Sequence, residues 1–163
     1  MRRVGTISSA LAALFAAAVV LLASCQSENA LAVVNQEAAI DKYITSQYAD
    51  YEVVRNGGAN RVIIIEGDAT KVAAPGDSIT MNIEGNIFTS SPSTRFLSGE
   101  RTVELGSKDL LKGLEKGLEG VTEGEECYIF FSAKYGYYDE SIGVVPSMSA
   151  LMFHVNVLEI KKK

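Results

Sequence analysis

The chain has 163 residues, enough for one domain once a leader is removed. Apolar residues make up 47% of it, which supports a buried core, while 20 Asp and Glu outweigh 15 Lys and Arg. That acidic balance, with no basic tract beyond Lys161 to Lys163, argues against nucleic acid as a partner and leaves the three lysines as a solvated end.

Residues 1–24 read as an export signal. Arg2 and Arg3 form its charged start, and Ala10 to Ala23 is an uninterrupted apolar run, too short for a comfortable membrane span. The run ends in Leu22-Ala23-Ser24-Cys25, which resembles the bacterial lipobox. The resemblance implies that Cys25 becomes the acylated N-terminus of a lipoprotein, held in the membrane by more than one acyl chain. The expected location is the bacterial cell envelope, periplasmic or surface-exposed. No later segment is long and apolar enough to span a bilayer.

Residues 25–60 are expected to hold a tether, an N-terminal helix and the first hairpin strand, with the main domain in 61–163. Asn35 is placed to cap a helix over Gln36 to Tyr48, whose Ile40, Tyr43, Ile44 and Tyr48 share one face. That helix either packs on the domain or acts as a spacer. Tyr51 to Arg55 and Arg61 to Glu66 read as strands around the loop Asn56-Gly57-Gly58-Ala59-Asn60. Pro75-Gly76 suits a type II turn. Ser78 to Glu84 alternates, with Ile79, Met81 and Ile83 to one face, and Gly85-Asn86 reads as a further turn. Thr89 to Thr94 reads as loop, and Arg101 to Leu105 as a strand with Val103 and Leu105 inward.

The organising stretch runs from Leu105 to Val121. Leu110, Leu111, Leu114, Leu118 and Val121 recur at helical spacing and form one apolar stripe. Gly113 and Gly117 each cost that helix about 1 kcal/mol relative to Ala. One turn apart, they leave a notch for the close approach of a strand or a ligand, if they are not simply a tolerated weakness. Glu123-Gly124-Glu125 turns the chain into Cys127 to Ser132. Lys134 to Pro146 is a loop carrying Tyr135, Tyr137 and Tyr138. Leu151 to Ile160 is the last strand, with Leu151, Phe153, Val155 and Val157 on one face.

Catalytic side chains are scarce. His154 is the one histidine and lies on the more polar face of the last strand, where it reads as a surface residue. Cys127, in step with Ile129 and Phe131, reads as a buried core thiol. Glu125-Glu126 and Asp139-Glu140 read as solvated charges, since adjacent strand residues point to opposite faces. Zinc ligand sets, a nucleophile elbow and nucleotide-binding glycine patterns are missing, and no metal or cofactor is expected.

Four stretches carry a family resemblance. They are Gly76 to Gly85, Leu105-Gly106 with Leu110 to Leu118, Val121 to Glu125, and Val144-Val145-Pro146 with Leu151 to Val155. Together they make the chain from about Val62 to Ile160 resemble the FKBP-type peptidyl-prolyl cis-trans isomerases. The resemblance implies an α+β fold, an antiparallel β half-barrel wrapped on one short central helix, here with an extra N-terminal helix. It also implies a substrate groove between helix and sheet that rotates X-Pro bonds with no acid, base or nucleophile. Carried over by position, Tyr137, Leu111 and Phe153 are the catalytic candidates: a donor hydroxyl, a donor backbone N–H and an aromatic wall. Tyr135 and Tyr138 lie close enough to leave the tyrosine register open. Ile83, Phe88, Val103, Leu110, Leu114, Val144 and Val145 are the substrate-binding candidates.

Some family positions differ. Leu114 stands where the family has a floor tryptophan, Ile83 where it has a tyrosine, and Thr89 where it has an acid. A wall phenylalanine aligns near Arg101, unless Phe96 takes its place. The implied function is a monomeric, lipid-anchored isomerase acting on proline-containing unfolded or exported polypeptides. The alternatives are a binding or chaperone module of the same fold that grips without isomerising, and a structural envelope lipoprotein whose groove its own side chains close.

Overall fold

A computed structural model describes residues 28–89 and 94–163; the leader, Cys25 and most of the Thr89 to Thr94 loop lie outside them. Helix α1 occupies 28–47. Strands β1 (Glu52–Asn56), β2 (Ala59–Ile65), β3 (Asp68–Val72), β4 (Ser78–Ile87) and β5 (Arg95–Glu104) follow. Then come α2 (Lys112–Leu118), β6 (Thr122–Glu123), β7 (Glu126–Phe131), a 3-10 turn at Ala133–Tyr135, and β8 (Leu151–Lys161). Six strands form one antiparallel sheet in the order β1-β2-β7-β8-β4-β5, and β3 pairs with β6 apart from it. The 60/61 domain boundary drawn from sequence falls inside β2, and the β1–β2 hairpin is one edge of the main sheet.

Period-two alternation builds the sheet's two faces. On the inner face, Ile79, Met81 and Ile83 of β4, Cys127, Ile129 and Phe131 of β7, and Phe153, Val155 and Val157 of β8 form the main core with Leu114 and Leu118 of α2. Cys127 is fully buried, as its pattern predicts, and burial pushes its thiol pKa up. On the outer face, Ile40 and Ile44 of α1 pack on Val62, Phe130 and Ala150. Tyr43 meets Phe88 edge-on at 5.2 Å, and Tyr48 lies 5.8 Å from Tyr128. Of the two roles open to the N-terminal helix, packing is the one observed.

The Pro75-Gly76 turn forms as expected: Gly76 has φ +94° and Asp77 N–H donates to Ala74 O at 3.0 Å. Asn56 pairs with Ala59, so the first hairpin turns on Gly57 and Gly58 alone, both at positive φ.

Several expectations are corrected. Asn35 lies inside α1 and does not cap it, because Ala, Leu and Glu upstream are themselves good helix formers. Gly85-Asn86 is not a turn but mid-strand, paired with β8 throughout. A Cβ on Gly85 would stand 2.9 Å from the rings of both Phe153 and Phe96, so the glycine makes room for aromatic packing. The α2 helix is shorter than the leucine stripe. Leu111 is its N-cap in an extended conformation, and Gly120 at φ +77° follows the C-cap, which stops the helix before Val121. Strand β3 was not foreseen.

Glu125 is not solvated. It is buried beside the equally buried Arg61, with Nε and Oε1 3.2 Å apart but out of line for a hydrogen bond. Arg61 donates instead to the carbonyls of Gly117, Glu119 and Gly120 at 3.0, 2.9 and 3.3 Å, satisfying the open C-terminus of α2. His154 is half-covered rather than free at the surface. Its ring stacks on Tyr128 at 4.6 Å, and its Nε2 lies 2.8 Å from Glu126. The terminal lysines are exposed yet tied down: Lys162 Nζ is 2.8 Å from Asp77 and Lys163 Nζ 3.3 Å from Glu104.

Candidate functional site

The notch on α2 receives a strand. A Cβ on Gly113 would lie 2.2 Å from the Phe131 ring, and one on Gly117 2.3 Å from Ile129. The missing side chains let α2 settle against β7 more closely than any other residue type allows. The helix therefore leans toward the β7 side of the sheet and stands away from edge strand β5. Between them opens a cleft of about 560 Å³.

Eight of the ten proposed site residues line that cleft: Ile83, Val103, Leu110, Leu111, Leu114, Tyr137, Val144 and Phe153. Phe153 is a rigid wall. It stacks on Phe131 at 5.6 Å and takes the edge of Phe96 at 5.7 Å. Phe96 in turn meets Tyr137 at 6.4 Å, which closes an aromatic corner. Phe96 thus takes the wall position that aligned near Arg101, and Arg101 reaches the same cleft separately. Ile83 and Leu114 form a floor that is almost wholly buried. The tight Ile142–Val145 bridge, with Gly143 at φ +59°, lifts Val144 into solvent as an apolar lip that is 63% exposed.

The tyrosine register resolves on packing. Tyr135 covers Gly58, where a Cβ would lie 2.1 Å from its ring. Tyr138, at φ +53°, turns toward α1 and lines a separate hollow with Val33 and Lys134. Only Tyr137 enters the cleft. Among the described residues its hydroxyl has no hydrogen-bond partner, and burial pushes its pKa above the ordinary tyrosine value. The backbone N–H of Leu111 likewise donates to no acceptor among the described residues, since helical bonding begins after it.

Two proposed residues fall elsewhere. Phe88 is on the outer face, edge-on to Phe130 at 5.7 Å. The alternation of β4 gives the reason: Ile79, Met81, Ile83 and Gly85 face inward, so an even-numbered position faces out. Val145 is buried beneath the lip and does not line the cleft. Residues that the sequence reading missed include Met81, Leu97, Asp109 and Ile142 on the cleft wall. Gln36 was also missed. Its amide accepts from Ala133 N–H at 2.9 Å and donates to Met148 O at 2.6 Å, so α1 staples both ends of the loop that carries Tyr137.

A deep apolar cleft with two unpaired donors and no acid, base or nucleophile on its walls save Asp109 at the rim is suited to gripping an extended, apolar peptide by its carbonyls. Sequence and structure comparisons place the chain in a family. Residues 69–158, more than half the chain, match the sequence model of the FKBP-type peptidyl-prolyl cis-trans isomerases. FK506-binding protein 1 of Aspergillus oryzae is 26% identical over 115 residues, covering 63% of this chain and 98% of that protein. The FKBP-type isomerase FkpA of Buchnera aphidicola is 20% identical over 122 residues, covering 74% of this chain and 48% of that protein. The crystal structure of FkpA from Escherichia coli superposes with a TM-score of 0.61 at 17% identity, over 98% of this chain and 74% of that one. The chain belongs to the FKBP-type peptidyl-prolyl cis-trans isomerase family. Its fold is the expected FKBP-like α+β arrangement with an added N-terminal helix.

Proposed function

We propose that this protein is a lipid-anchored prolyl isomerase of the bacterial envelope that rotates X-Pro bonds in exported polypeptides. The observation that carries the reading is the pair of unpaired donors, Tyr137 Oη–H and Leu111 N–H, opening on an apolar cleft walled by Phe153 and Phe96.

Rotation about an X-Pro amide meets a barrier of about 18–20 kcal/mol, because twisting destroys resonance. Unassisted exchange takes tens to hundreds of seconds. The twisted amide has a smaller dipole than the planar one, so an apolar, water-poor wall favours it relative to the ground state. Two donors fix the flanking carbonyls while the bond turns. Lowering the barrier by about 4 kcal/mol gives roughly a thousandfold. A second reading, gripping without rotation, draws support from Leu114 and Ile83, which give the floor no ring to brace the proline.

Exchange spectroscopy on Ala-Leu-Pro-Phe peptides with the full chain in non-ionic detergent separates the two readings. Catalysis predicts cis–trans exchange well above the protein-free rate. Tyr137→Phe should lower kcat/KM by about tenfold, the worth of one hydrogen bond, and adding Phe153→Ala should abolish the effect. Peptide binding with no acceleration leaves the gripping module. For the anchor, which rests on Cys25 outside the described residues, Cys25→Ala should move the protein from the membrane to the soluble fraction. Retention in the membrane after that change removes the lipoprotein reading.

A further inference from the structure

Arg101 and Asp109 are the two charged residues on the cleft wall. Arg101 sits on edge strand β5 directly opposite Met81 in the register, and Met81 is a fully buried inner-face residue. Cross-strand partners point to the same side of a sheet, so the guanidinium leaves from the cleft face and not from the outer one. Asp109 lines the same cleft from the turn that leads into α2. Both are exposed, and among the described residues neither has an ion-pair or hydrogen-bond partner, so each charge is free to meet a ligand. A cation carried by β5 and an anion carried by the turn before α2 give a largely apolar groove an electrical direction.

We propose that Arg101 and Asp109 are specificity-determining residues that make the cleft select proline segments with opposite charges on the two sides of the X-Pro bond, in one order over the reverse. The acidic flank lies along β5 and the basic flank lies at the start of α2. The inference rests on the isomerase reading for its substrate, but its test does not.

The test uses two peptides of identical composition, Glu-Ala-Leu-Pro-Phe-Lys and Lys-Ala-Leu-Pro-Phe-Glu, blocked at both ends, with the full chain in non-ionic detergent. Affinity is read from peptide line broadening, and exchange from the same spectra. At low salt one order should bind about threefold to fivefold more tightly than the other, and the ratio should fall toward one as salt screens the exposed charges. Arg101→Gln with Asp109→Asn should erase the preference, and Arg101→Asp with Asp109→Arg should reverse it. Equal affinity for the two orders overturns the inference. So does a preference that survives the neutral pair of substitutions. Ordered binding without exchange leaves the charge selection standing and removes only the isomerase reading.

Discussion

The two helices show opposite ways of covering one sheet. On the outer face, α1 rests on a thick layer of rings: Tyr43, Tyr48, Phe88, Tyr128 and Phe130 lie within 5.2 to 6.2 Å of one another in successive pairs. On the inner face, α2 has no such cushion. It presents Gly113 and Gly117 to Phe131 and Ile129 and rests close to the strand. A ring layer packs the middle of the outer face, and hollows remain at its margins near Val33 and near Phe88. A glycine notch closes the space between helix and sheet only where the notch is, and the remaining width of the inner face stays open toward β5 as the cleft. The candidate site therefore lies on the face where contact is closest at one point and absent beside it.

The largest expected effect comes from removing the clamp that holds α2 in that lean. Arg61→Ala takes away the donor to three helix-end carbonyls and leaves Glu125 buried without its cation. Losing one partner of a buried pair costs about 3–5 kcal/mol. Denaturant unfolding should show a loss of that order. A loss below about 1 kcal/mol would mean that water or the backbone takes over both roles.

Gly113→Ala sharpens the same contrast with a smaller effect. The added methyl meets the flat of the Phe131 ring, which is backed by the stacked Phe153 and has nowhere to retreat. Overpacking of about 3 kcal/mol should outweigh the roughly 1 kcal/mol that alanine returns in helix propensity. Thermal melts decide the sign. Stabilisation would show that α2 can lift off β7 without strain, and the account of the cleft as a by-product of the notch would fail.

Patterns with short range were legible in the sequence. The alternation of β4 and β8 and the tight turn at Pro75-Gly76 follow from neighbours along the chain, and the structure shows them; of the leucine stripe it keeps only Leu114 and Leu118 within the helix. Eight of the ten site residues reached the cleft because the family resemblance supplied what local pattern cannot, namely which inward positions share a space. Phe88 was misplaced although its parity along β4 was readable. Other misses were non-local. Glu125 looks solvated beside Glu126 until Arg61, on a distant strand, is brought next to it. Gly85-Asn86 has the composition of a turn, and only the rings of Phe96 and Phe153 above it explain why it is a strand. The Gln36 staple joins a helix to a loop near the far end of the chain, beyond any periodicity.

The smallest expected effect is a pH difference between the two faces, read through one tyrosine on each. Burial, then the neighbouring Tyr43 and Tyr128, push the Tyr48 phenol up to about 12 on the outer face. On the cleft side burial alone pushes Tyr137 up, with no second phenol adding to it. Both stay protonated at neutral pH, so donation by Tyr137 should hold turnover level between about pH 6 and pH 9. A raised pKa in the folded state stabilises fully below the unfolded tyrosine value of about 10, and that contribution is lost as pH rises through the folded value. Stability should therefore begin to fall above about pH 10. Tyr48→Phe should flatten the fall more than Tyr137→Phe does, while only Tyr137→Phe should change turnover. Unfolding curves of the two variants from neutral to alkaline pH check both statements. If Tyr137→Phe flattened the alkaline loss more, the cleft tyrosine would be the more deeply desolvated of the two, and the ring layer around Tyr48 could no longer be described as the more closely packed side.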